Sequence, residues 1–158
     1  MAVLAAVLLA LPVEPTVAAA RLAGFVVFWD GGTSQRAWLR DYASYGQVYF
    51  DTATLLKPDH VVNRIPRWVV RFVRRHHLTS QICVANDPGP NFNGAMLHAL
   101  LSHPGDQRRV IAQLVHLVVG TPFDGIDVDF ENGEPGDAQS FVAFLGRLHR
   151  VCVACTRP

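Results

Sequence analysis

Four carboxylates fall within the eight residues 124–131, and they are the side chains of this chain best placed to do chemistry. Asp127, Asp129 and Glu131 alternate with apolar residues at a strict period of two. In a β-strand this spacing puts the three acids on one face and the apolar side chains on the other. Acids two residues apart lie about 7 Å apart along a strand, so they repel one another and at least one should have a raised pKa. Such a face predicts acid–base chemistry rather than a solvated strand edge.

Metal binding is a poorer interpretation of these acids than glycoside hydrolysis. A calcium loop counted from Asp127 would need a glycine and an acid where Asn132 and Ala138 stand. A phosphoryl-transfer site would need a phosphate-binding loop or a second ligand set, and the sequence offers neither. Glycoside hydrolysis needs one carboxylic acid to protonate the leaving oxygen and a second negative group to stabilise an oxocarbenium-like transition state. Glu131, the outermost acid, is the candidate proton donor, since the acids behind it favour its protonated form. We expect no metal and no cofactor.

The elements that must position these acids alternate along the chain. Apolar runs predict strands over residues 23–29, 47–53, 80–86 and 123–131. Helical spacing predicts helices over residues 34–45, 64–77, 95–102, 106–119 and 139–151, and residues 152–156 could begin a fifth strand. The order is a βα unit repeated four times, which predicts an α/β fold with parallel strands joined by right-handed crossovers.

The acidic segment also carries a family resemblance. Residues 124–131 read DGIDVDFE and match every specified position of the D-G-x-D-x-D-x-E signature of family 18 glycoside hydrolases, the chitinases and related N-acetylglucosaminidases. Asn132 and the run 141–149 (FVAFLGRLH) resemble the branch of spore-cortex and peptidoglycan-lytic N-acetylglucosaminidases. The runs 24–30 and 83–86 resemble the first and third strands of the family's barrel.

The resemblance implies a TIM (β/α)8 barrel and a retaining, substrate-assisted mechanism, in which the nucleophile is the substrate's own 2-acetamido carbonyl group. The implied substrates are β-1,4-linked N-acetylglucosamine polymers, chitin or peptidoglycan. Glu131 would act as general acid and then as general base for the incoming water. Asp129 would orient the N-acetyl group and stabilise the oxazolinium-like intermediate, and Asp127 would modulate Asp129.

Four further residues receive weaker roles. Asp124 and Gly125 would shape the start of the catalytic strand. Trp29 and Asn86, near the ends of other strands, are the candidates for lining a substrate pocket, and core packing is the alternative for each.

The resemblance covers about residues 23–151, within a predicted partial catalytic domain 21–158 that holds roughly the first four βα units. A complete barrel has about 250 residues. The family's acetamido-binding tyrosine and barrel-floor tryptophan belong to later strands and have no counterpart here. We therefore expect weak or no turnover from the chain alone. Three interpretations stay open: a fragment or truncated product of a chitinase-like hydrolase, a half-barrel that needs a second half as partner, and a lectin-like module that binds chitin oligosaccharides without turnover.

Composition and the chain ends bound the remaining possibilities. Half of the 158 residues are hydrophobic and the net charge is +1, so the arginine-rich helix at 64–77 indicates a solvated face rather than a nucleic-acid interface. Residues 1–20 are an aliphatic run that ends in three alanines, which predicts a signal peptide and a secreted, extracellular or cell-wall protein, with no membrane span. Cys152 and Cys155 form a lone C-x-x-C pair, for which we expect neither metal nor redox chemistry; whether the two pair is open.

Overall fold

Four parallel strands form the central sheet of the computed structural model, which describes residues 21–156 of the chain. The predicted signal peptide lies outside the described residues. The elements are, in chain order, β1 (Leu22–Val27), α1 (Thr33–Asp41), β2 (Tyr45–Lys57), β3 (His60–Asn63), α2 (Arg67–His76), β4 (Ser80–Ala85), α3 (Gly94–Ser102), α4 (Pro104–Val118), β5 (Gly125–Asp129) and α5 (Ala138–Thr156). Short 3-10 turns cover Tyr42–Ser44 and Pro135–Asp137. The predicted α/β class is confirmed.

The parallel strands lie in the order β1-β2-β4-β5, and their register sorts the side chains onto two faces. One row of neighbours is Val26, Phe50, Ile82 and Ile126, on the face that packs against the helices. The next row is Val27, Asp51, Cys83 and Asp127. Because successive side chains in a strand alternate, this second row points to the opposite face, which we call the acidic face.

The helices cover the apolar side of the sheet through side chains at helical spacing. Their fully or almost fully buried members are Val69 and Val73 of α2, Leu97 and Leu100 of α3, Val110 and Leu114 of α4, and Phe144 and Leu148 of α5. Each such side chain stabilises the fold by about 1.5–3 kcal/mol through burial. Ile126 and Val128 of β5 pack against this core, and Phe130, the residue after β5, is buried in it. The apolar side of the segment that carries the acids is therefore fixed by packing.

A β-hairpin, formed by β2 and β3, was not predicted. The two strands pair antiparallel on either side of Pro58 and Asp59, residue types that favour tight turns. Gln113 of α4 holds the hairpin: its Oε1 accepts from the Val61 amide and its Nε2 donates to the Asp59 carbonyl, both at 2.7 Å. Helix α2 accordingly begins only at Arg67, after Pro66, rather than at residue 64.

Two sequence-based boundaries are wrong in ways that affect the site. The predicted fifth strand at residues 152–156 is instead the last part of α5, because Leu145, Leu148 and Cys152 continue the helical spacing of core contacts. The strand predicted over 123–131 ends at Asp129, so Glu131 lies two residues beyond it. Within residues 21–156, no helix is long and apolar enough to cross a membrane.

Candidate active site

The three acids lie where β5 ends, on the acidic face. Asp127 pairs in register with Cys83 of β4, and Asp129 pairs with Ala85, the last residue of β4. Both carboxylates are partly buried, whereas Glu131 is exposed in the segment that follows the strand. Glu131 is thus the outermost of the three acids, as the sequence predicts, and the two aspartates are buried to a similar extent.

Asp129 is the acid whose environment disfavours its charge. Burial raises the pKa of its carboxyl group, and the negative charges of Glu131 and Asp127 raise it further, as do Asp51 and Asp87 to a smaller extent. One acid with a raised pKa was expected from the spacing alone.

Two more acids, Asp51 and Asp87, contribute to the negative potential and were missed in the sequence. Burial raises the pKa of both carboxyl groups, and the charge of Asp87 adds to the effect on Asp51. Asp51 is a strand neighbour of Cys83, whose thiol pKa is also raised, first by burial and then by Asp127. Both acids could have been predicted as site residues from the sequence, because each lies near the carboxyl end of a predicted parallel strand. Active and binding sites of α/β proteins lie at that end of the sheet.

Trp29 lies beside Asp51 at this end of the sheet. Its indole is 77% exposed, and its Nε1 donates to the Asp51 carboxylate at 3.4 Å. The two residues, with Asp87 and Arg64, help to line a small cavity of about 220 Å³. An exposed indole next to partly buried acids is a surface on which a sugar ring can stack.

Asn86 lies in a very different environment from Trp29. Its side chain is fully buried. Its Oδ1 accepts from the backbone N–H of Glu131 at 2.8 Å, and its Nδ2 donates to the backbone carbonyl of Glu131 at 2.9 Å. The same Nδ2 donates to the carbonyl of Asn93 at 3.1 Å. Asn86 therefore contacts the backbone that carries the outermost acid and faces no open pocket.

Asp124 and Gly125 lie at the start of β5. Asp124 joins the beginnings of two strands, since its Oδ2 accepts from the Ser80 amide and its own amide donates to the Ser80 carbonyl, both at 2.8 Å. Gly125 pairs with Gln81, and a Cβ at this glycine would come within 3.6 Å of the Gln81 side chain.

The segment after Glu131 is held against the first turn of α3. Asn132 has a left-handed backbone, with φ of 59°. A Cβ on Gly94 would come within 1.9 Å of the Asn132 carbonyl oxygen, so only glycine allows this close approach. Asn93 caps the same helix by accepting from the Met96 amide at 2.9 Å.

One groove of the described residues has Asp127 among its lining residues, but neither Asp129 nor Glu131. Its volume is about 470 Å³, and it follows β5 and the second half of α5, with Val128, Leu145 and Leu148 among its lining residues. Within residues 21–156, β4 is the only strand that pairs with β5. This groove lies beside that unpaired edge, so its size says nothing about catalysis.

Comparison with known proteins gives matches at the level of structure. No protein-family model matches the sequence, and no curated protein matches it. A chitinase from Chromobacterium violaceum is similar to this chain, with 25% identity and a TM-score of 0.73, over 84% of this chain and 42% of the chitinase. A class V chitinase from Pseudomonas fluorescens has 23% identity and a TM-score of 0.73, over 83% and 41% of the two chains.

The spore cortex-lytic enzyme SleL from Bacillus megaterium shares the fold at 15% identity, with a TM-score of 0.70 over 84% of this chain and 32% of SleL. The chain thus spans about a third to two fifths of the length of these solved structures. These matches confirm the resemblance to chitinases and spore cortex-lytic glycosidases, and the fold that they show for this chain is that of a partial TIM barrel.

Proposed function

We propose that the chain carries the catalytic strand of a glycoside hydrolase that acts on β-1,4-linked N-acetylglucosamine polymers, chitin or peptidoglycan, with retention of configuration. The observation that carries the proposal is the position of Asp127, Asp129 and Glu131 at the carboxyl end of a parallel strand, with the pKa of Asp129 raised between its neighbours. Catalytic residues of barrel enzymes lie at this end of the sheet.

In this mechanism Glu131 moves the protons. Its exposed carboxyl group donates a proton to the glycosidic oxygen as the bond to the anomeric carbon breaks. The carbonyl oxygen of the substrate's own acetamido group forms the new bond to that carbon, which gives an oxazolinium-like intermediate. The Glu131 carboxylate then accepts a proton from water as the water attacks, and the acid is restored.

Asp129 acts on the acetamido group. In the free protein burial and the charges of Glu131 and Asp127 raise the pKa of Asp129, so its negative charge is disfavoured there. When positive charge develops on the substrate, the ionised form of Asp129 is favoured, and it can accept from the acetamido N–H and stabilise the intermediate. Asp127, two residues before Asp129 on β5, modulates Asp129 because its negative charge raises the pKa of the Asp129 carboxyl group.

One observation also favours a second candidate, a sugar-binding module without turnover. Trp29 offers an exposed indole beside the cavity that it shares with Asp51. Aromatic rings of this kind bind sugars whether or not an acid is near. A signal peptide in residues 1–20 would suit either function, because both kinds of glycan lie outside the cell membrane.

Hydrolysis of a fluorogenic N-acetylglucosamine oligomer tests the proposal. We expect weak turnover that falls by about a thousandfold or more in Glu131→Gln, since the variant keeps the size of the side chain but has no proton to give. Glu134→Gln is the matched control, because Glu134 is an exposed acid of the same segment, and it should retain turnover. Turnover that survives Glu131→Gln would contradict the proposal. Binding of the oligomer without any turnover would instead favour the sugar-binding module.

A further inference from the structure

The carboxamide of Asn86 is fully buried and makes three hydrogen bonds, all to backbone groups. Two of them join it to the N–H and the C=O of Glu131, as a neighbouring strand would do. The third joins it to the carbonyl of Asn93, the residue that caps α3. Both amide hydrogens are therefore used, and the side chain has no donor left for a ligand.

We propose that Asn86 is a positioning residue, which fixes the backbone of Glu131 and thereby the direction of its carboxyl group. The proposal rests on the proposed function in one respect only, namely that Glu131 is the catalytic acid. The contact itself is a property of the fold and can be measured without substrate.

The need for such a residue follows from where β5 ends. The last ladder pair between β4 and β5 is Ala85 with Asp129, so the ladder stops before Glu131. Asn86 is the residue after β4, and its side chain supplies one donor and one acceptor to the backbone two residues beyond β5. An amide side chain can do this because it has the same polar groups as a peptide unit. The Asn86 side chain thus continues the hydrogen bonding between β4 and β5 to Glu131, where the backbone ladder has already ended.

Helix α3 gives this contact a rigid base. The Asn93 amide donates to the Asn86 carbonyl at 2.8 Å, in addition to the bond from Asn86 Nδ2 to the Asn93 carbonyl. Gly94 packs directly against the Asn132 carbonyl. The backbone on both sides of the Glu131 side chain is therefore held to the first turn of one helix.

The substitution Asn86→Asp separates positioning from packing. The two side chains have almost the same size, but a carboxylate accepts hydrogen bonds and cannot donate them. It could still accept from the Glu131 N–H, but it loses both donated bonds and repels the carbonyls of Glu131 and Asn93, which pushes the segment away from residue 86. When the carboxyl group of the variant is protonated, it has one donor again. We therefore expect its hydrogen bonds to the backbone of Glu131, which we call the clamp, to re-form as the pH falls. A role limited to filling space would give no such recovery.

Amide hydrogen exchange, measured residue by residue from pH 7 to pH 4 as protection factors, is the experiment. In Asn86→Asp at pH 7 we expect the protection of the Glu131 amide to fall by roughly tenfold or more relative to the amides of β2 and β4, because the carboxylate loses both bonds to the Glu131 and Asn93 carbonyls and repels them, so that the segment opens more often. At pH 4 the relative protection should return toward that of the wild-type chain.

Gln107→Glu is the matched control, because it also replaces a buried amide with an acid, at a site where Nε2 donates to the Leu101 carbonyl and not to the active segment. It should leave the relative protection of Glu131 unchanged. Asn86→Ser, which adds no charge, should also lower the protection of Glu131, and it decides the matter if Asn86→Asp does not fold at pH 7. Protection of Glu131 that falls only in step with β2 and β4, or shows no recovery at pH 4, would overturn the proposal.

Turnover supplies a second and separate readout. If Glu131 is the catalytic acid, Asn86→Asp should lower kcat about tenfold or more at pH 7, recover at lower pH, and change KM by less than about twofold, because Asn86 touches no substrate. A fall in protection without any turnover in the wild-type chain would favour the sugar-binding module over the proposed hydrolase and leave the positioning role established. A loss that lies in KM alone would contradict the positioning role.

Discussion

His98 and Asp137 join two helices immediately behind the candidate active site. The Nδ1 of His98 in α3 lies 2.8 Å from Oδ1 of Asp137, the residue just before α5, and Glu134 lies 3.7 Å away. The hydrogen bond to Asp137 raises the pKa of His98, and the charges of Glu134 and Asp137 add to the effect. The contact spans the segment between Glu131 and α5, so it ties the loop that carries the acid to α3.

This contact predicts a pH dependence of stability. A histidine whose folded pKa is raised contributes stability that is fully present below its unfolded pKa of about 6.5 and is lost as the pH rises through the folded value. We therefore expect the denaturant midpoint to fall between pH 6 and pH 8.5, and the fall to be smaller in His98→Gln. His116→Gln, at an exposed position of α4, is the control and should keep the full dependence. An identical pH profile for His98→Gln would contradict the contribution of this pair.

Removing the charge of Asp129 should stabilise the fold while harming catalysis. A raised folded pKa in an acid means that the folded state disfavours the ionised form, so stability falls as the pH rises above the unfolded pKa of about 3.9. Asp129→Asn should have a higher free energy of unfolding than the wild-type chain at pH 7, and the difference should vanish near pH 3. Asp41→Asn, in an exposed pair with Arg40, should change little. A less stable Asp129→Asn at pH 7 would show that the mutual repulsion of the acids is not a cost to the fold.

Gly94 should tolerate no side chain. A Cβ there would meet the Asn132 carbonyl at 1.9 Å, so Gly94→Ala must displace either α3 or the segment after Glu131. We expect a loss of about 1–3 kcal/mol in the free energy of unfolding, which is the usual cost of overpacking. Gly89→Ala is the control, since a Cβ at Gly89 meets nothing within 4 Å. Equal stabilities of the two variants, by urea unfolding, would contradict the close approach.

Phe144 tests whether α5 is packed as part of the core. Its side chain is fully buried, and its ring lies 6.3 Å from that of Phe130, next to Glu131 in the chain. Phe144→Ala should cost about 3–5 kcal/mol, the range for a buried aromatic residue. Val142→Ala in the same helix should cost less than about 0.5 kcal/mol, because Val142 is 69% exposed. A small effect of Phe144→Ala would mean that α5 does not cover the sheet.

The parts of the fold that follow from local periodicity could be predicted from the sequence. The period of two in β5 gave the acidic face, and the spacing of Val110 and Leu114 gave α4. The same reasoning failed at residues 152–156, which the sequence analysis considered as the start of a fifth strand. Contacts of Cys152 with the core, four residues after Leu148, keep the segment helical. Short apolar runs carry too little periodicity to choose between strand and helix.

The candidate site was only partly predictable, because several of its contacts join distant residues. Asp127, Asp129 and Glu131 follow from one strand, but the clamp on Glu131 comes from Asn86, 45 positions earlier. Nothing near Asn86 in the sequence indicates that its amide will meet that backbone. The effect of Asp51 on Asp129 likewise depends on the order β2-β4-β5, which local patterns do not give.

Time-resolved NMR of the cleavage of an N-acetylglucosamine oligomer tests the central claim, catalysis by Glu131 with help from the substrate's acetamido group, most directly. The account predicts that the β-anomer of the product forms first, as retention requires, and that the signal disappears in Glu131→Gln but persists in Glu134→Gln. A first-formed α-anomer, or an unchanged signal in Glu131→Gln, would contradict it.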